Sequence, residues 1–266
     1  MALAPLPAIA LGALSAAQYQ VTWSAYLPNW VALGLGCALY SVMRRLPRTR
    51  VEAWLPIVVA LAVAGTLLAQ GIAGVQRWVS VGPLRLNVSA MMTPWLLASL
   101  ASRDDGTRLR ALLGSVALQL VHVAQPDAAQ ASALTAGALP LVLASGKRQR
   151  ATWAPLGVLL VALCALAWQR PDPLEPVRYV EGSLRLIGEL GAPWVVAAVL
   201  AMLALFAPLL ALGSWPLRTA LAGYLLVAFA VTWLGYFPVP VMGAGAAPVL
   251  GWYGLLWATE AELSRS

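Results

Sequence analysis

Apolar residues in this chain gather into long runs, and short polar stretches interrupt them. The runs cover about 3–17, 26–43, 53–74, 88–101, 109–123, 128–145, 151–168, 193–212, 219–236 and 248–260. Their lengths suit membrane-crossing helices, which need roughly 20 apolar residues, better than the alternating segments of about ten that build a membrane barrel. Several runs are shorter than that. They are expected to tilt little, thin the bilayer or borrow loop residues. The first run lacks a basic leader, and Ser15-Ala16-Ala17 is a poor cleavage site, so it reads as a retained helix. The expectation is an all-α integral membrane protein of about ten transmembrane helices, a single polytopic domain over 1–266.

Basic residues orient this arrangement. Arg44, Arg45, Arg48 and Arg50 follow the second run; Arg103, Arg108 and Arg110 follow the fourth; Lys147, Arg148 and Arg150 follow the sixth. With Arg218 and Arg265, 12 of the 17 Lys and Arg fall on one side, against Arg77, Arg85, Arg170, Arg178 and Arg185 on the other. The positive-inside rule puts the richer side, with both termini, in the cytoplasm. The longest polar stretch, 169–191, becomes the main extracytoplasmic loop.

Composition agrees. Apolar residues make up 61% of the chain and charged residues 10%, with a mean hydropathy of +0.79; a soluble domain carries roughly 25% charge. The net charge of +7 would suggest nucleic acid in a soluble protein. Here the positive residues sit between apolar runs as topology signals, so no nucleic-acid partner is expected, and membrane lipids are. Cys37 and Cys164 lie inside apolar runs, and His122 has no second histidine nearby. Neither a disulfide framework nor a metal site is expected. The tryptophans near predicted interfaces read as an aromatic belt. Gly12, Ala16, Gly34 and Gly36 are candidates for close helix approach.

Candidate chemistry lies on the outer face. Asp127, Asp172, Glu175, Glu181 and Glu189 share it with Arg77, Arg170, Arg178 and Arg185. Carboxylates beside arginines at a membrane surface suit a lipid-linked anionic substrate: Arg grips phosphate with two donors, and a partly dehydrated carboxylate can act as general base. Each residue also has a plainer reading. Glu181 could be a solvated loop charge, Asp127 the cap of a helix, Arg77 an interfacial anchor beside Trp78, and His122 a satisfied interfacial side chain. Asn87-Val88-Ser89 matches a glycosylation sequon but abuts a span.

Four patterns in order shift the balance. They are Gln76-Arg77-Trp78-Val79-Ser80-Val81-Gly82-Pro83; Gln125-Pro126-Asp127; Tyr179-Val180-Glu181 followed after five residues by Ile187-Gly188-Glu189-Leu190-Gly191; and Pro248-Val249-Leu250-Gly251-Trp252-Tyr253-Gly254. Together they resemble the SEDS family (shape, elongation, division and sporulation proteins of the FtsW/RodA/SpoVE type). The matching family segments are Arg-Arg-Trp-Ile-x-Leu-Gly, Gln-Pro-Asp, His-Thr-Asp with Ile-Gly-Glu-Glu-Leu-Gly, and Pro-Phe-Ile-Ser-Tyr-Gly-Gly. The resemblance covers about 60–254 and implies peptidoglycan glycosyltransfer in cell shape, elongation or division. The implied substrate is undecaprenyl-linked (lipid II), and the implied partner a class B penicillin-binding transpeptidase. It implies Glu181 as catalytic base and Arg77, Trp78, Asp127 and Arg178 as substrate-binding residues. No resident cofactor is expected; arginines or a divalent cation would stabilise the pyrophosphate.

The chain also departs from that pattern. Glu181 stands where the family has Asp. Asn87-Val88-Ser89-Ala90 replaces Gln-Pro-Ser-Glu, and Ala128-Ala129-Gln130 replaces Leu-Gly-Thr. The segment from Trp168 to Glu181 is too short for the family's Gly-rich stretch. These departures describe a divergent, shortened member and keep open a catalytically inactive scaffold or regulator of an envelope machine. A third reading, a lipid-linked sugar flippase, lacks the buried charges such proteins carry.

The predicted orientation is directly testable. In intact cells, a cysteine at Glu175 is expected to react with a membrane-impermeant maleimide, and one at Arg148 only after permeabilisation.

Overall fold

A computed structural model describes residues 1–82, 84–210, 214–234 and 237–263, with the side chains of 261–263 excepted. Pro83 of the first motif and the expected helix ends at Leu212 and Tyr236 lie outside the described residues.

The apolar runs form helices: α1 (Pro5–Gln18), α2 (Leu27–Met43), α3 (Arg48–Leu68), α4 (Val88–Leu100), α5 (Asp105–Ala124), α6 (Ala128–Leu143) and α7 (Lys147–Trp168). After the long polar segment come α8 (Ser183–Glu189), α9 (Ala192–Ala204), α10 (Ala207–Leu210), α11 (Trp215–Ala230) and α12 (Ala246–Leu263). Among the described residues, three helical stretches are long and apolar enough to cross a bilayer by themselves: Arg48–Leu68, Lys147–Trp168 and Trp215–Leu234. The last joins α11 to a 3-10 turn, Val231–Leu234. The 21 residues of α3 span about 30 Å, the thickness of a hydrocarbon core.

Which faces are buried shows what surrounds them. In α3, Val59, Val63 and Thr66 are buried, while Ile57, Val58, Leu61, Leu67 and Leu68 are exposed. Much of α7 and α9 is likewise apolar and exposed: Val158, Val161, Val196 and Leu200. Water would penalise so much uncovered apolar surface, and lipid accepts it. The chain is a helical membrane protein.

Inside, α12 packs against α2 and α4, α6 lies between α7 and α11, and α3 and α5 close the bundle around α4. Small residues set the closest approaches. A side chain on Gly36 would run into the Tyr253 ring, one on Gly12 into the carbonyl of Met242, and one on Gly254 into the Trp95 indole. Gly34, expected to serve the same purpose, has nothing within 4 Å.

Besides α8, a helix inside the stretch expected as a loop, three features differ from the sequence expectation. First, α3 and α7 begin at Arg48 and Lys147, several residues before their apolar runs. The charged first turns continue the helix beyond the apolar window, and Arg48 pairs with Glu52 one turn on. Second, the eighth run divides into α9 and α10. Pro208 has no N–H for the carbonyl of Ala204, and a turn at Leu205 and Phe206 separates the helices. Third, the loop expected at 76–87 is a β-hairpin, an exception to the all-α expectation. Strands β1 (Trp78–Val81) and β2 (Leu84–Asn87) pair antiparallel with Trp78 opposite Asn87 and Ser80 opposite Arg85. Gly82 takes a φ of +58° at the turn, a conformation open to glycine.

The glycine contrast sets a test. Gly36→Ala is expected to destabilise by about 1–3 kcal/mol through overpacking against Tyr253. Gly34→Ala should be neutral or slightly stabilising, as read from thermal unfolding in nanodiscs.

Candidate functional site

Arg77 leaves α3 by a short connection and is 7% exposed immediately before β1. A guanidinium held so far from water must be paired. Its Nε donates to the carbonyl of Gln125 at 2.9 Å, and Nη2 to the carbonyl of Pro126 at 2.6 Å and to Asp172 Oδ2 at 2.8 Å. Asp127 Oδ2 stands 3.8 Å from Nε. The Gln125 side chain answers in the other direction, donating to the carbonyl of Gln76 at 2.7 Å and to Thr66 Oγ1 at 3.2 Å. Gln125-Pro126-Asp127 is therefore the socket into which Arg77 fits.

Asp127 also caps α6, its Oδ1 accepting from the amide of Gln130 at 3.2 Å. The plainer reading of that residue is correct as far as it goes, yet the same carboxylate also lines a cavity. Asn87 caps α4 in the same way, accepting from Ala90 at 3.0 Å, so its side chain has a structural role.

That cavity, of about 150 Å³, sits above the socket. Four chain segments supply its polar wall: Arg77, Trp78 and Arg85 from the hairpin arm, Asp127 and Gln130 from the start of α6, Asp172 and Glu175 from the polar loop, and Glu181 just before α8. The 237–245 loop, α11 and α12 complete the apolar side with Val239, Tyr224 and Trp252. Arg77, Trp78, Asp127 and Glu181, four of the five expected site residues, thus meet at one cavity. Arg178 does not join them. It points to the outside, 3.7 Å from Glu189 and 5.4 Å from the Tyr19 ring centroid.

Glu181 is half-buried, and its Oε2 accepts from the amide of Val177 at 2.7 Å. Burial pushes its carboxyl above the ordinary value of 4.5; bonds to the amides of Val177 and Glu181 oppose the shift, as does Arg77, while the Asp172 carboxylate adds to it. The group is therefore easier to protonate than a solvated glutamate, the condition of a carboxylate that receives a proton.

Asp172 and Arg85 are site residues that the motifs did not single out. Asp172 was legible only as one outer-face carboxylate among several. Arg85 alternates outward on β2, and the hairpin brings it to the cavity; among the described residues it makes no ion pair. Beneath the cavity, His122 joins a buried chain, Ser89 Oγ to Nε2 at 2.6 Å and Nδ1 to Gln119 Oε1 at 2.8 Å. Gln119 donates onward to Thr135 and to the carbonyls of Ala131 and Leu160. The histidine expected at an interface is a satisfied core residue.

A metal fits this wall poorly. Among the described residues no three His, Cys, Asp or Glu side chains gather into a ligand set, and Arg77 already stands against Asp127 and Asp172.

Fold and cavity together define a helical membrane protein with a polar cavity built on a hairpin arm and two loops. The particular fold is that of the rod shape determining protein RodA from Thermus thermophilus, matched with a TM-score of 0.64 at 20% identity over 98% of this chain and 95% of that one. An aspartate-to-alanine mutant of the same protein matches with a TM-score of 0.63. A chain from a peptidoglycan synthase complex, described for its coordination of polymerization and crosslinking, matches at 0.65 with 21% identity, over 97% and 96% of the two chains. No family model matches the sequence, and no curated protein matches it.

Removing Arg77 strands the buried carboxylate of Asp127 and the partly buried one of Asp172. Arg77→Ala is expected to cost about 3–5 kcal/mol, with Arg77→Lys intermediate because the planar fork is lost. Arg85→Ala should stay within about 0.5 kcal/mol. Denaturation in nanodiscs distinguishes the three.

Proposed function

We propose that the chain is a divergent, shortened SEDS-type glycosyltransferase that polymerises lipid II at the outer face of the bacterial cytoplasmic membrane. The observation that carries this reading is the meeting of Arg77, Asp127 and Glu181, from three separated motifs, at one cavity in a chain with the RodA fold. The topology proposed with it has about ten spans, both termini cytoplasmic and 169–191 outside.

In the reaction, the hydroxyl of one glycan attacks the anomeric carbon of another. Its proton passes to Glu181, the new C–O bond forms, and the bond to the pyrophosphate breaks, its electron pair leaving with the prenyl pyrophosphate. The charge balance of the wall favours this order. Arg77 and Arg85 face Asp127, Asp172, Glu175 and Glu181, an acidic excess that repels a pyrophosphate. Protonation of Glu181 lowers that excess as the leaving group's charge develops. Arg85, without a carboxylate partner among the described residues, is the cation available to the phosphates. We assign no resident cofactor; a divalent cation would arrive on the pyrophosphate itself. The proposed partner is a class B penicillin-binding transpeptidase, a reading supported by the likeness to a chain of a synthase complex.

A second reading, an inactive scaffold or regulator in an envelope machine, is favoured by the engagement of Arg77 with backbone carbonyls and Asp172. An arginine so bound has less to offer a substrate.

Polymerisation of lipid II by the purified protein, with and without the transpeptidase, decides between them. Polymer from the wild type is expected to fall about a hundredfold or more in Glu181→Gln. Because the base must be ionised, the wild-type rate should drop as pH falls through a value above 4.5, and the variant's residual rate should lack that limb. Equal polymer from both proteins removes Glu181 from the chemistry. No polymer from either, with the partner present, leaves the scaffold.

A further inference from the structure

At the start of α2, Asn29 is completely buried, and it does not line the cavity. Its amide is nevertheless wholly committed to one distant loop. Nδ2 donates to the carbonyls of Val241 at 3.1 Å and Gly243 at 2.9 Å, while Oδ1 accepts from the amide of Gly245 at 2.7 Å. Two carbonyls and one N–H fix which way the amide points. The loop is held in a costly shape: Val241, a β-branched residue, has a φ of +66°. At Gly243 a side chain would meet the carbonyl of Val180 at 2.5 Å.

The loop then holds the segment that carries Glu181. Val239 donates to the carbonyl of Val180 at 3.2 Å and Ala244 to that of Tyr179 at 3.1 Å. Tyr26, three residues before Asn29, donates its hydroxyl to the same Tyr179 carbonyl at 3.1 Å. Val239, Val241, Gly243 and Glu181 all line the cavity.

We infer that Asn29 is a positioning residue: it clasps the 237–245 loop from α2, and through that loop it fixes the Tyr179–Glu181 segment at the cavity wall. The placement of the segment stands on this geometry alone; its consequence for turnover rests on the proposed glycosyltransfer.

The variants are Asn29→Asp, which keeps the acceptor for Gly245 and loses both donors, and Tyr26→Phe, which removes one hydroxyl without changing shape. Hydrogen–deuterium exchange on the full-length protein in nanodiscs reads the clasp without any activity. In Asn29→Asp, amides over 179–183 and 239–245 should exchange about tenfold faster or more, since buried bonds are lost, while those of α7 stay as in the wild type. Tyr26→Phe should loosen 179–183 in the same direction, by less. In polymerisation, turnover should fall with KM little changed. The acid limb of the pH profile should move down, because Glu181, facing Arg77 and Asp172, gains water. Unchanged exchange in both variants overturns the inference. So does loosening that reaches α7 equally, which would make Asn29 a general stability residue. A loop that loosens while turnover and the pH limb stay as in the wild type also overturns it. If the wild type makes no polymer, the proposed function fails, and exchange alone decides the clasp.

Discussion

A guanidinium buried in a membrane protein has to be answered by the chain around it, and the arrangement of this cavity depends on how Arg77 is answered. Two backbone carbonyls, Gln125 and Pro126, and two carboxylates, Asp127 and Asp172, come from segments nearly 50 and 95 residues away in sequence. None could drift outward without leaving a charge unpaired in low dielectric. The α5–α6 turn and the 169–182 connection are thereby tied to the hairpin arm. Gln125 reciprocates through Gln76 and Thr66, so the arm and the turn hold each other. Such reciprocity gives Gln125, Pro126 and Asp127 a structural purpose that Ala128, Ala129 and Gln130, the next three residues, do not share.

The opposite wall is held by neutral hydrogen bonds. Asn29 and Tyr26 reach from α2 and the turn before it to the 237–245 loop and to Tyr179. A charge network on one side and an amide clasp on the other meet at Glu181. Ionic strength and pH act on the first side far more than on the second.

Much of the architecture was legible in the sequence, for physical reasons that also mark where legibility stops. Runs such as 128–145 and 151–168 must be helical in a membrane because lipid cannot satisfy an open backbone. Their ends were not legible: Arg48 and Lys147 extend helices into the polar zone, where apolar counting is blind. Four-residue strands fall below any periodic signal, so β1 and β2 read as loop. Helix α8, seven residues inside a polar stretch, was missed for the same reason. Sequence order placed Arg77, Asp127 and Glu181 on one face, and the fold brings them to one cavity. It could not tell Arg178, which faces Glu189 away from the cavity, from Arg85, which the hairpin carries to the cavity's edge. Nor could it tell Gly34, which faces open space, from Gly36, which faces Tyr253. Those distinctions are tertiary: they depend on which side of a turn a neighbour lies.

The connection before Glu181 gives a glutamate at this position, rather than an aspartate, a physical sense. Between Trp168 and Val177 the chain has no helix or strand, yet it is fastened. Asp172 Oδ2 binds Arg77, and Oδ1 accepts from the amide of Leu174 at 3.1 Å. The loop is closed at its far end by Glu181 itself, whose Oε2 reaches back four residues to the amide of Val177. That reach uses the extra methylene, because the shorter side chain of an aspartate on the same backbone ends about one bond length earlier. Where a longer connection would be stiffened by its own structure, this one draws its order from its ionisable groups. A carboxylate that also caps its own loop is positioned by the bond it makes. Protonating it weakens that bond, because a carboxylate accepts from an amide more strongly than a carboxylic acid does. Protonating Glu181 would then loosen the wall that it closes.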